Sequence, residues 1–367
     1  MAKTKLQQYF PIIRTREQIL LEIKCNPALN VWFETLSEDS KKEFLDICSG
    51  EKGVKILYDS FFKSVMNPEV YPERLQDMLS CILGEEIASF HVLESSSFAL
   101  GDERSLLILD IIVELIEGSI INLEVQKIGF DFPGERAACY ASDLTLRQYA
   151  RAKRAATEKP ETDPGHKFSY RSIHPVYTIV LIEKSSSIFT NFPDTYIHRF
   201  SQKSDTGLHM NLLHNYIFIP LDIFRKKLQN KDISTRLDAW LMFLSTDEPD
   251  EIMHLCDAFP SFKELYLHIY EICKNMEDVM GIFSEALAEM DRNTVDYMID
   301  TLRKNNEQLQ GKNELLQGKN EQLQGKNEQL QGKNEQLQGE NEQLHGENKK
   351  LREENARMRE ELEKYKN

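Results

Sequence analysis

The chain has 367 residues, with 45 Lys and Arg against 60 Asp and Glu and a formal net charge of −15. No run reaches the roughly eighteen apolar residues that a membrane-spanning helix requires. Met1 to Gln8 lead into mixed polar sequence without the apolar block of a signal peptide, so a cytoplasmic location is expected. The six cysteines (Cys25, Cys48, Cys81, Cys139, Cys256 and Cys273) form no CxxC pair, which gives no support to a disulfide framework or a cysteine zinc site.

In chain order, apolar positions at helical spacing across residues 15 to 48, interrupted at Asn26-Pro27, predict two helices. A turn at Ser49–Gly53 precedes a helix over Val54–Lys63 stopped by Asn67-Pro68, and another runs from Tyr71 to Leu83, ended by Gly84. The period then changes. His91–Leu100, Leu106–Ile116 and Ile120–Ile128 read as strands, with Glu117-Gly118-Ser119 as the hairpin loop between the last two. Gly134–Ala156 is helical, 158–166 a proline-containing loop, Pro175–Ile182 and Tyr216–Ile223 strands, and Leu237–Leu244 and Phe262–Leu302 helices. Helices, then strands, then alternating elements imply an α/β fold with a mixed sheet.

The tail is periodic. Leu309, Leu316, Leu323, Leu330, Leu337, Leu344 and Leu351 recur every seven residues, each three after an Asn, so that Leu takes heptad position d and Asn position a. Gly311, Gly318, Gly325, Gly332, Gly339 and Gly346 fall at f, the solvent side. Asn at a weakens the seam while favouring one in-register parallel pair, and each Gly costs about 1 kcal/mol of helix propensity relative to Ala. A homodimeric coiled coil is expected; a frayed repeat expanded by copying is the alternative. The tail holds 13 basic and 13 acidic residues, which leaves 32 basic and 47 acidic in residues 1–300. An acidic body is unfavourable for a nucleic-acid binder, because phosphate contacts supply most non-specific affinity. Between Arg136 and Arg171, however, eight basic residues face only four acids.

Two strands carry acids within apolar runs: Asp110 and Glu114 in the first, and Glu124, beside Asn122 and Gln126, in the second. A bare carboxylate in a core costs several kcal/mol, so such residues face water or serve a site. With a Glu117-Gly118-Ser119 loop, Ile116 pairs with Ile120, Asp110 faces Gln126, Ile112 faces Glu124 and Glu114 faces Asn122, all on one sheet face. Asp110 and Glu124 are then diagonal neighbours about 7–8 Å apart, within joint reach of one hard cation. On the following helix Arg136, Tyr140, Asp143, Arg147 and Arg151 form a single stripe, which suits phosphate contact or an ordinary solvated face.

These elements, taken with Tyr58-Asp59-Ser60-Phe61-Phe62-Lys63 and Pro133–Tyr140, resemble the transposase-like, recombination-promoting branch of the PD-(D/E)xK nucleases over roughly residues 54 to 225. The resemblance implies a restriction-endonuclease-like core with a mixed β-sheet flanked by helices, in a bacterial protein. It further implies a Mg²⁺- or Mn²⁺-dependent DNA endonuclease that hydrolyses phosphodiester bonds with metal-activated water. Asp110 and Glu124 become metal ligands with the Val125 carbonyl, Gln126 takes the usual Lys position as third catalytic residue, and Arg136 and Tyr140 contact DNA; Arg147 is expected to join them as a member of the same stripe. Gln offers neutral hydrogen bonds where Lys offers charge; Leu109 stands where the family's proline would be.

The expected organisation is an N-terminal helical segment (1–53), the nuclease-like core (54–235), a helical region (236–300) and the coiled coil (301–367). A catalytically inactive nuclease fold serving as an assembly or DNA-binding module is the competing function. Nine histidines, including His209 and His214, show no metal-ligand spacing, and no phosphate-binding loop or GxSxG elbow is present.

Overall fold

The computed structural model describes residues 3–57, 59–93, 111–128, 133–158, 167–228 and 232–366. They fall into two compact units, Met1–Met298 and Ile299–Asn367. The first opens with four helices, α1 (Lys5–Tyr9), α2 (Arg16–Cys25), α3 (Pro27–Thr35) and α4 (Glu38–Cys48). The 15–48 region therefore holds three helices rather than two. Asn26 caps α3 through Ala28 and Leu29 N–H, and Ser37 caps α4 through Ser40 N–H, so each Asn or Ser restarts a helix. The helix expected over Val54–Lys63 begins later, as α5 (Asp59–Val65), with Val54–Leu57 non-helical. Helix α6 (Pro72–Leu83) ends where anticipated, with Gly84 in the left-handed region at φ 80°.

The sheet has six strands, β1 (Phe90–Leu93), β2 (Ile111–Leu115), β3 (Ile120–Ile128), β4 (Val176–Lys184), β5 (His198–Ser201) and β6 (His214–Pro220), in the order β1-β2-β3-β4-β6-β5. The β3-β4 and β4-β6 pairs are parallel and the rest antiparallel. Between β3 and β4 runs α7 (Pro133–Glu158), the crossover that a parallel pair requires. Pro220 closes β6 and α9 (Leu221–Leu228) follows at once, so residues 221–223 are helical and not strand; a short α8 (Ser187–Thr190) precedes β5.

Alternation divides the sheet into two chemistries. Odd-numbered Ile111, Val113, Ile121, Leu123, Ile179, Leu181, Ile217 and Ile219 join one large core with the N-terminal helices and with α10 (Arg236–Ser245), α11 (Pro249–Ala258), α12 (Ser261–Ile272) and the start of α13 (Met276–Lys366). Phe10 meets Tyr270 at 5.3 Å between ring centroids, and the Trp32 indole N–H donates to Ser284 Oγ at 2.7 Å. Even-numbered residues face α7, where Ile112, Ile120 and Val176 pack on Tyr140, Ala141 and Leu144, while Val180, Ile182 and Phe218 pack on Ala137. The helix anticipated over Phe262–Leu302 is broken at Cys273–Asn275 into α12 and α13. In the second unit, residues 305–363 are helical and exposed, including every Leu of the heptad series. No helix among the described residues is long and apolar enough to cross a membrane.

Candidate active site

The β2-β3 turn sets the register of the site. Leu115 N–H donates to Ser119 O and Gly118 N–H to Leu115 O, both at 2.8 Å, and Gly118 has φ 95°. The loop is thus Ile116-Glu117-Gly118, of the expected length but one residue earlier, with a glycine in the positive-φ position that such loops need. The observed pairs are Ile111↔Leu123, Ile112↔Asn122, Val113↔Ile121 and Glu114↔Ile120. Glu114 therefore does not face Asn122, nor Ile112 Glu124. A shift of two keeps parity, so Glu114, Asn122, Glu124 and Gln126 still share the face turned to α7. Asp110 and Tyr58 lie outside the described residues, and with Asp110 its expected pairing and metal geometry.

Between the two apolar patches under α7 lies a buried polar row on β3 and β4. Asn122, Glu124 and Gln126 are exposed by only 0, 2 and 5 %, and Thr178, in register with Asn122, by 0 %. Asn122 Nδ2 donates to Glu124 Oε1 at 3.1 Å. Asn122 Oδ1, Gln126 Oε1 and Thr178 Oγ1 have no hydrogen-bond partner among the described residues. Orphaned polar atoms at this depth are destabilising, and three of them together on one sheet face make this row the candidate site. Thr178 is the member that sequence reasoning missed; its only signal is one threonine within the largely apolar run Val176–Ile182. Val125 points to the opposite face, against the main core, and is in register with Leu181.

Helix α7 brings its stripe across this face. Arg136 Nε donates to the Tyr140 hydroxyl at 2.8 Å, and Tyr140 is itself buried against Ile112, Ile120 and Val176, so the pair forms one unit over the same sheet face as the row. Arg147 Nη2 lies 2.7 Å from Asp143 Oδ2, with 18 and 11 % side-chain exposure, which ties Arg147 to its own helix. Further along, Arg151 Nη1 holds Glu114 Oε2 at 2.8 Å and draws that carboxylate toward the turn end of the sheet. Glu114 is thereby separated in role from Glu124. Thr145 Oγ1 and His214 Nε2 are 2.9 Å apart, joining α7 to β6, and burial holds the His214 imidazole below its ordinary pKa.

The donor set available to a cation is oxygen from carboxylate, amide and hydroxyl groups, which suits a hard divalent ion such as Mg²⁺ or Mn²⁺ and not a soft one. Among the described residues no group of three or more His, Cys, Asp or Glu side chains could hold a metal. Glu124 is, among the described residues, the one carboxylate of the row, and its neighbours Asn122, Gln126 and Thr178 add neutral oxygens.

No curated protein and no solved structure matches this chain. Residues 246–367 match the model of a family described as afadin- and alpha-actinin-binding, a likeness that falls largely on the helical tail. Residues 56–297 match the model of the PD-(D/E)XK nuclease family transposase, and that match covers the whole sheet, α7 and the buried polar row. With two thirds of its length so accounted for, the chain belongs to the PD-(D/E)XK nuclease family transposases.

Proposed function

We propose that the protein is a divalent-metal-dependent DNA endonuclease of a transposition or recombination system. The observation that carries this reading is Glu124, a carboxylate 2 % exposed in a central strand and flanked by buried Asn122, Gln126 and Thr178, whose orphaned oxygens suit a cation or an ordered water. Asp110, immediately before β2 in the chain, is the second ligand, and the Val125 carbonyl completes the protein donors. When bound, Mg²⁺ or Mn²⁺ supplies charge neutralisation at the scissile phosphate and a more acidic water. Gln126 orients that water by neutral hydrogen bonds. Arg136, held by Tyr140, binds the phosphate next to the cut, where a fixed guanidinium offers a planar donor pair. Arg147 reaches DNA only by giving up Asp143, so its contribution is the smaller.

The heptad leucines are 55–60 % exposed, and a seam of this kind is covered by a second copy of the same helix. A parallel dimer would bring two nuclease units onto one DNA molecule and raise the effective concentration of the second active site. A catalytically inactive assembly module is the second reading, favoured by Gln126 in place of Lys. Nicking of supercoiled plasmid in Mg²⁺ separates them. Cutting by the wild type and none by Asp110→Ala supports the nuclease; an equally inert pair supports the assembly module.

A further inference from the structure

The basic strip between Arg136 and Arg171 is only partly used by the site above. Its second half borders a separate cavity of about 530 Å³, where the end of α7, the β2-β3 turn and residues 167–174 meet. Gln148 lines this cavity and is 4 % exposed. Its Oε1 accepts the His174 N–H at 2.8 Å, which fixes the amide orientation, while Nε2 has no hydrogen-bond partner among the described residues. A buried N–H donor held at a cavity wall asks for an acceptor from outside.

The remaining walls narrow the chemistry of that acceptor. Ala152, Ala155 and Ala156 make an apolar side without long side chains, which leaves room for the face of a ring. Lys167 and Arg151 stand at the polar side, Arg151 already holding Glu114. Next to Lys167, Phe168 meets Tyr149 and Tyr170 edge-on, each at 5.1 Å, and Tyr170 is 75 % exposed, an aromatic platform open to solvent. An apolar wall of alanines, one unfilled N–H donor, cations at the edge and an exposed aromatic together describe the recognition of an unstacked nucleotide.

We propose that this cavity takes one unstacked nucleotide of the DNA substrate, its base against the alanines with a carbonyl or ring nitrogen accepting from Gln148 Nε2. The backbone phosphates lie toward Lys167 and Arg151, and the neighbouring base stacks on Tyr170. The ligand rests on the nuclease reading; the cavity does not. Arg151 and Arg136 are fifteen residues apart on one stripe of α7, about 22 Å at 1.5 Å per residue. That distance is roughly six to seven base steps of 3.4 Å, so the cavity would grip the strand at a fixed remove from the cut.

The test uses the full chain in EDTA, where no cleavage occurs, and the fluorescence anisotropy of a labelled single-stranded oligonucleotide. Ala155→Phe fills the cavity from a solvent-exposed helix position; Gln148→Glu keeps an oxygen for the His174 N–H and removes the donor. Each is expected to weaken binding about tenfold, the scale of one stacked base; Ala155→Phe should leave the melting temperature unchanged, whereas Gln148→Glu should lower it, because it buries a carboxylate, and is assayed at a temperature where it is folded. Should Ala155→Phe fail to fold, Gln148→Glu alone decides. Wild-type affinity in both folded variants, or in Gln148→Glu when Ala155→Phe is unfolded, or no oligonucleotide binding by the wild type, would overturn the proposal. Deoxynucleoside monophosphate competing as well as the oligonucleotide would also overturn it, by making the ligand a free nucleotide. Asp110→Ala distinguishes the two levels. Wild-type binding in EDTA, with no nicking in Mg²⁺, supports both; pocket-dependent binding with nicking unaffected by Asp110→Ala sinks the active-site assignment and leaves the cavity.

Discussion

Thr178 shows how a single residue records the demands of a site. Its hydroxyl is fully buried beside Asn122 and has no hydrogen-bond partner among the described residues, so folding desolvates it without return. Thr178→Val is nearly isosteric and is expected to raise stability by about 1 kcal/mol in urea unfolding. Cleavage should fall in the same variant. A loss of stability would mean that the hydroxyl is bonded after all. Asp110→Asn should abolish nicking while leaving the fold intact, because it removes charge at nearly constant volume; circular dichroism and a plasmid assay check both halves. At this scale the sequence was readable wherever a carboxylate or amide interrupts an apolar run: Glu124 and Gln126 stand out in β3, and both are buried on the α7 face. Thr178 was not readable, because threonine is an ordinary strand residue and only its register with Asn122 gives it meaning.

Among the elements, the β2-β3 hairpin shows which parts of a strand pair local sequence determines. Alternation fixes the face of every residue, so the β3 part of the polar row was legible from parity alone. Register depends on which three residues close the loop, and the left-handed requirement at Gly118 places them at Ile116–Gly118 rather than one residue later. A Cβ on Gly118 would also come within 2.6 Å of the His174 ring. Gly118→Ala is therefore expected to cost about 1–2 kcal/mol, mainly for the backbone conformation, with the ring moving aside. Urea unfolding measures it, and a neutral result would show that the turn can adopt another form. The breaks missed in the helical regions have a common cause. Caps at Asn26 and Ser37, and the Cys273–Asn275 interruption, act over one or two residues and leave the wider apolar period nearly undisturbed.

In the whole molecule, the helices before the sheet and those after it share one core, a non-local arrangement that no periodicity announces. The tail was the opposite case. Its heptads are read directly, and the division into units at Met298 and Ile299 falls close to the start of the repeat. With Asn at a and Gly at f the coil should be marginal, so dimerisation is expected to depend on concentration and to be lost on warming. Truncation after Leu302 should leave nicking per site nearly unchanged and lower the share of linear plasmid; a truncated protein that still sediments as a dimer and linearises equally well would remove the tethering role. The most direct test of the active site is the rate of plasmid nicking as Mn²⁺ is titrated, for the wild type and for Glu124→Gln. The buried polar row as metal site requires a metal-dependent rate in the wild type and none at any Mn²⁺ concentration in the folded variant. Equal rates in the two proteins would contradict it.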